Sequence, residues 1–129
     1  MAEPGQGYYP YQVQIDAYGN GGFRFAQMSH KGSLLCLPSG MHKWEVANPG
    51  EITLASLAPV LAVAADIDVL LVGLGKEITG LDRSIREALR AERIIIEAIA
   101  TGGAVRTYNI LLGEKRAVGA ALIAVDSVR

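Results

Sequence analysis

Only one cysteine, Cys36, and two histidines, His30 and His42, occur in the 129 residues. A lone thiol makes no intrachain disulfide, and three widely spaced ligand-type residues make no ordinary zinc site. An excess of charge is missing too: 12 Lys and Arg stand against 13 Asp and Glu, a net charge of −1. Nucleic acid and anionic membrane surfaces reward a clustered basic face, so neither is an expected partner. No uninterrupted apolar run reaches the ~20 residues of a bilayer span. The longest apolar stretch, Leu54 to Leu74, is broken by Pro59, Asp66 and Asp68. The first ten residues hold no basic segment followed by an apolar one and no Arg-rich amphipathic pattern. Neither a secretory signal nor a transit peptide is therefore expected. These absences lead to the expectation of a cytoplasmic protein without cofactor or metal.

What is present is apolar. Half of the residues are hydrophobic and 19% are charged, which excludes intrinsic disorder. One domain is expected over residues 12–129, preceded by a flexible arm, 1–11, that carries Pro4, Gly5, Gly7 and Pro10 among Tyr8, Tyr9 and Tyr11. Docking of those tyrosines on a second subunit makes a homodimer one expectation.

Val13, Ile15 and Ala17 alternate with polar residues, the period-two mark of a strand. Tyr18-Gly19-Asn20-Gly21-Gly22 reads as a turn, and Phe23 to Phe25 as the return strand. His30-Lys31-Gly32 reads as a further turn before a strand Ser33 to Leu37; Met41 to Val46 follows as a short strand carrying Trp44. A helix capped by Ser56 runs to about Ala65, with Pro59 in its first turn. Asp68 to Val72 is a continuous apolar strand, the pattern of burial on both faces. Asp82 caps a helix with Ile85 and Leu89 on one side, and Ile94 to Ile99 is a second buried strand. Ala104 to Gly113 reads as a helix, and Val118 to Val125 as a last strand whose small residues suit a close-packed helix. The order predicts an α/β fold: one layered domain with a mixed sheet, an N-terminal hairpin or meander, then alternating helices and strands.

Two glycine-containing segments follow buried strands. Gly73-Leu74-Gly75 lacks the third glycine of a dinucleotide loop, since Ile78 occupies that place, and no phosphate-loop lysine follows. Thr101-Gly102-Gly103 precedes the polar group Arg106, Thr107 and Asn109. The two segments could converge on a crevice for an anionic small molecule, with Arg106 donating in pairs. They could equally be plain strand-to-helix turns, with Arg106 paired to Glu114 and Asn109 satisfying carbonyls. Glu114 and Arg116 read as a helix end. Cys36 sits in an apolar strand and reads as an inert thiol, and no nucleophile, base or metal cluster is nominated.

The chain also resembles a known family. The residues that carry the likeness are the glycine hairpin from Tyr18-Gly19 to Phe23, Gly32-Ser33, Leu37-Pro38, Trp44 and Gly73-Leu74-Gly75. After them come Thr101, Ala104, the run Arg106-Thr107-Tyr108-Asn109, Leu111, Glu114 and Arg116, and an apolar last strand. The likeness spans Ile15 to Val125 and is with the small α/β domain family that includes mitochondrial respiratory complex I assembly factor three and bacterial single-domain proteins. It implies a layered fold and no established enzymatic activity. It also implies a role in complex I assembly through contacts with complex I subunits or assembly intermediates. The missing transit pattern favours a bacterial member. The surface it implies comprises Gly73, Gly75, Thr101, Arg106, Thr107, Asn109, Glu114 and Arg116. Two positions depart from the family pattern: Leu74 stands where a threonine is common, and Val105 where a cysteine is common. Both departures remove reactive or hydrogen-bonding groups and leave a binding surface intact.

Overall fold

Strand Ser33–Leu37 is buried at every residue, so something must cover both of its faces. The computed structural model, which describes residues 8–76 and 80–126, shows what does. In chain order the strands are β1 Tyr8–Tyr9, β2 Ala17–Gly19, β3 Gly22–Phe25, β4 Met28–Lys31, β5 Ser33–Leu37 and β6 Gly40–Trp44. Then come helix α1 Ala58–Ala62, strand β7 Val69–Gly73, helix α2 Arg83–Ala91, strand β8 Ile95–Ile99, helix α3 Thr101–Gly113 and strand β9 Val118–Leu122. Two short 3-10 turns, Pro49–Glu51 and Ala64–Asp66, flank α1. The fold is the expected single α/β domain with a mixed sheet and an N-terminal β-meander.

The large sheet runs β1-β6-β5-β9-β7-β8 and the small one β2-β3-β4. β9 lies parallel to β7 and antiparallel to β5, so the last strand joins the meander half to the βαβ half. Alternation along β5 divides the core. Leu35 and Leu37 pack with Val60 of α1 and Ile85 and Leu89 of α2. Leu34 and Cys36 pack with Ala104 and Tyr108 of α3 and with Phe23 and Phe25 of the small sheet. Each face of the central strands is therefore covered, which is why β5, β7 and β9 read as continuous apolar runs.

Several local expectations change. Residues 12–15 make no ladder, and β2 begins only at Ala17. His30 and Lys31 lie within β4 instead of a turn, and the hairpin reverses at Ala26 and Gln27 with φ of 49° and 63°. Neither residue is a usual left-handed turn former, so no composition signal marks the place. Ser56 does not cap a helix: it exchanges hydrogen bonds with Thr53, and α1 starts after Leu57 with no side-chain cap. Asp82 does cap α2, accepting from the Ser84 amide. The last strand stops at Leu122, three residues before the expected end. Tyr8 and Tyr9, from the expected arm, pair with His42 and Met41 of the same chain. The rest of that arm lies outside the described residues.

Candidate functional site

The two glycine segments meet, and the protein itself fills the space between them. The Gly75 amide donates to Thr101 Oγ1 at 3.0 Å, and the same hydroxyl donates to the Ile123 carbonyl at 2.7 Å. The Thr101 amide donates to the Gly75 carbonyl at 2.9 Å, the Leu74 amide to Ile99 at 2.8 Å and the Ile123 amide to Gly73 at 3.0 Å. Thr101 is fully buried, so one hydroxyl ties the ends of β7 and β9 to the start of α3. A Cβ on Gly73 would stand 2.9 Å from Thr101 Oγ1 and 3.0 Å from its Cα. Glycine is present there because the helix start presses on the strand end. The expected crevice between Gly73–Gly75 and Thr101–Gly103 is thus closed by backbone and side-chain bonds. Thr101–Gly103 is also not a loop: it forms the first turn of α3.

The polar run after it splits by helical position. Tyr108 is fully buried and its hydroxyl donates to the Val13 carbonyl at 2.7 Å. Asn109 Oδ1 accepts from the Ile15 amide and Asn109 Nδ2 donates to the Ile15 carbonyl, both at 2.8 Å. Gln14 Nε2 donates to the Asn109 carbonyl, and Gln12 Nε2 to the Val118 carbonyl. Side chains of α3 therefore supply hydrogen bonds to the Val13 carbonyl and to the Ile15 amide and carbonyl that a ladder would otherwise give. Asn109 is committed to this staple.

Arg106 and Ile110 stand on the outward side of α3. Arg106 is exposed, and among the described residues it makes no ion pair with Glu114 or any other carboxylate. Glu114 and Arg116 are exposed just past the helix end. Gly103 faces β8, since a Cβ there would lie 3.2 Å from Ile99 Cδ1. Seven residues on, Ile110 returns to the same helical stripe, roughly 10 Å along the axis. On β8, Ile95 and Glu97 share the face of Ile99, with Ile95 about 13 Å back along the strand. α3 and β8 run in opposite directions, so Ile95 and Ile110 come to the same end of this side. They are 63% and 60% exposed. β8 is also an edge strand, paired among the described residues with β7 alone. Sequence reading placed Ile95 in a buried strand, whereas in the fold β8 is an edge strand and Ile95 is exposed.

Other reactive groups are quiet. Cys36 is fully buried, and burial pushes its thiol well above the ordinary range despite a contact from Tyr108. Burial likewise raises the Tyr108 phenol. One pair escaped sequence analysis: Ser39 Oγ and His42 Nε2 are 2.9 Å apart across the β5–β6 hairpin. Tyr8 covers that imidazole at 4.8 Å and donates to the Ser39 carbonyl, and burial lowers the His42 pKa. Among the described residues no carboxylate orients the ring, and no three His, Cys, Asp or Glu side chains gather around a metal position. No described helix is long and apolar enough to cross a membrane.

With the geometry in hand, the comparisons with known proteins are consistent with one another. Residues 15–123 match the family model described as Protein of unknown function (DUF498/DUF598). An uncharacterized protein of Rhodobacter capsulatus is 37% identical over 111 residues, 86% of this chain and 84% of that one. NADH dehydrogenase (ubiquinone) 1 alpha subcomplex assembly factor 3 of Mus musculus is 31% identical over 118 residues, 92% of this chain but 64% of that longer protein. A crystal structure described as an outer membrane protein of Bartonella henselae superposes with a TM-score of 0.88 at 47% identity, covering 92% of this chain and 99% of that one.

Proposed function

The chain belongs to the DUF498/DUF598 family of proteins of unknown function, and on that premise we propose that it is a non-enzymatic protein-interaction module. Its docking surface is the side of the domain shared by α3 and β8. The observation that carries this reading is the exposure of Ile95 on β8 and Ile110 on α3, 63% and 60%, with Arg106, which pairs with no described carboxylate, one turn from Ile110. Large apolar side chains grouped with an arginine are the usual anchors of protein interfaces. The edge of β8 adds backbone donors and acceptors for a partner strand. Arg106, Thr107 and Glu114 belong to the contact surface, and Arg116 lies at its end. Gly73, Gly75, Thr101 and Asn109 serve it indirectly, by holding α3 in place.

The partner in this reading is a subunit or assembly intermediate of respiratory complex I. Its support is the 31% identity to a mouse protein that is named for assembling that enzyme. A bacterial, cytoplasmic protein is part of the same reading, and cell fractionation checks the placement. The test of function is affinity purification of the tagged full chain from its host, followed by mass spectrometry. Recovery of complex I subunits with the native chain, lost with Arg106→Ala and with Ile110→Glu, supports it. Both variants change exposed positions, so their folds are expected to persist, and circular dichroism verifies that. Recovery of nothing but the chain itself, at several salt and detergent conditions, refutes the assembly role. Light scattering on the same sample then shows whether a second copy covers the surface.

A further inference from the structure

The small sheet has a face that neither half of the core uses. Its register pairs Ala17 with Arg24, Gly19 with Gly22, Gly22 with Lys31 and Arg24 with Ser29. Directly opposed residues in an antiparallel ladder point to the same side, and alternate residues share it. Ala17, Gly19, Gly22, Arg24, Ser29 and Lys31 therefore lie on one face. Phe23, Phe25 and their neighbours lie on the other, where both phenylalanines are buried against α3 and β5.

The outward face is unusual in what it holds. Ala17 is exposed and Gly19 half-buried, while Gly22 is buried, the place of a side chain there being taken by the His30 carbonyl. The rim of the face is Arg24, Ser29 and Lys31, all exposed. A cavity of about 400 Å³ lies here; its lining includes those three residues and Asn20 and, among the described residues, no carboxylate. Arg24 Nη1 donates to Ser29 Oγ at 3.2 Å, which turns the guanidinium across the strand pair. Lys31 stands two residues beyond Ser29, about 7 Å along β4. Among the described residues the ion pairs are Lys43–Glu45 and Arg83–Glu87, so no described carboxylate pairs with either cation. Asp16 precedes β2 and is not among the residues that line the cavity. Asp126 lies behind Gly21, its Oδ1 4.0 Å from where a Cβ would stand, outside the cavity.

Among the described residues, Arg24, Lys31 and the Ser29 hydroxyl around this cavity make a set of donors with no charged acceptor. We propose that this face binds a phosphorylated small molecule. The phosphoryl oxygens take the Arg24 fork and the Lys31 ammonium, with Ser29 as a third donor, and the organic part rests on Ala17 and Gly19. This site lies apart from the α3–β8 surface, and its failure leaves that reading untouched.

The test is a titration of the isotope-labelled chain, followed by amide shifts in NMR. The probes are glucose 6-phosphate and inorganic phosphate, with glucose and sodium chloride at matched ionic strength as controls. The proposal expects saturable shifts confined to residues 17–31, tighter binding of the sugar phosphate than of inorganic phosphate, and no response to glucose. Arg24→Gln and Lys31→Gln each weaken the affinity at least tenfold while the rest of the spectrum stays as in the native chain. Several results overturn the site: no saturation, equal shifts with chloride, shifts centred elsewhere, or unchanged affinity in both variants. Inorganic phosphate binding as tightly as the sugar phosphate overturns the assignment to a phosphorylated small molecule and leaves a free-phosphate site.

Discussion

Asn109 and Ile15 are joined by two hydrogen bonds of 2.8 Å, one in each direction, across 94 positions of sequence. A helix side chain thereby acts as a piece of strand: its amide offers the same donor and acceptor that a neighbouring backbone would. The consequence is that the Ile15 amide and carbonyl are paired although residues 12–15 belong to no sheet.

Asn109→Ala removes both bonds and leaves the Ile15 amide and carbonyl with no partner in a half-buried seam. The expected loss is roughly 1–3 kcal/mol of stability. Urea denaturation measures it, and hydrogen exchange shows whether loosening is concentrated in residues 12–16. A loss spread evenly over the domain would show that the staple is not a local element.

Thr101→Val keeps the shape and deletes the hydroxyl that the Gly75 amide and the Ile123 carbonyl share. Two buried backbone groups are then orphaned, with an expected cost of about 2 kcal/mol or more. Thr101→Ser, which restores the hydroxyl, recovers most of it. Equal stability of the valine and serine variants would show that the hydroxyl does not bind the three elements.

Gly73→Ala drives a methyl into Thr101 and Leu122, where the nearest atoms would be 2.9 Å and 3.1 Å away. Overpacking of this kind costs about 1–3 kcal/mol. Gly80→Ala meets no atom within 4 Å and serves as the neutral comparison. Thermal melts of the two variants side by side decide the point.

His42 titrates below its ordinary value of 6.5 because burial disfavours the imidazolium. The unfolded chain therefore takes up the proton first as pH falls. Stability at this group is unaffected above the unfolded value, declines as pH drops below about 6.5, and stops declining once the folded form is protonated too. His42→Gln flattens that part of the stability curve, measured as the difference between variant and native chain. An imidazole midpoint at or above 6.5 by NMR would contradict the covering role of Tyr8.

Cys36 is fully buried and its thiol is held protonated. Thiolate is the reactive form, so labelling by a disulfide reagent at neutral pH proceeds at the rate of opening and not of chemistry. Denaturant restores the ordinary rate. Rapid labelling of the native chain would mean that the α3 side of the core opens readily.

The elements that read correctly from sequence are those whose signal is local. The Asp82 cap and the Ile85–Leu89 spacing mark α2, and the unbroken apolar runs mark β5 and β7. The misread places have non-local causes. Ala26 and Gln27 take left-handed turn geometry although nothing in their chemistry asks for it; the pairing of β3 with β4 requires it. Thr101 to Gly103 looked like a loop because glycines weaken helices, yet their weakness matters little in a first turn braced by Gly75 and Ile123. Of the eight residues expected to form a binding surface, Arg106, Glu114 and Arg116 are exposed, whereas Thr101 and Asn109 are spent on internal bonds.

Composition and periodicity by themselves determined that this chain folds as one α/β domain and in what order its elements come. They did so because alternation and apolar runs record which residues leave water, and burial is the dominant local demand. Only the tertiary structure decided that β9 lies between β5 and β7, that Ile95 and Ile110 are left exposed, and that Arg24 and Lys31 line one cavity with no carboxylate among its described residues. Those facts depend on which distant segments become neighbours. Hydrogen bonds, packing and Coulomb interaction act between neighbours in space, so a one-dimensional pattern carries the parts of this protein but not their meeting points.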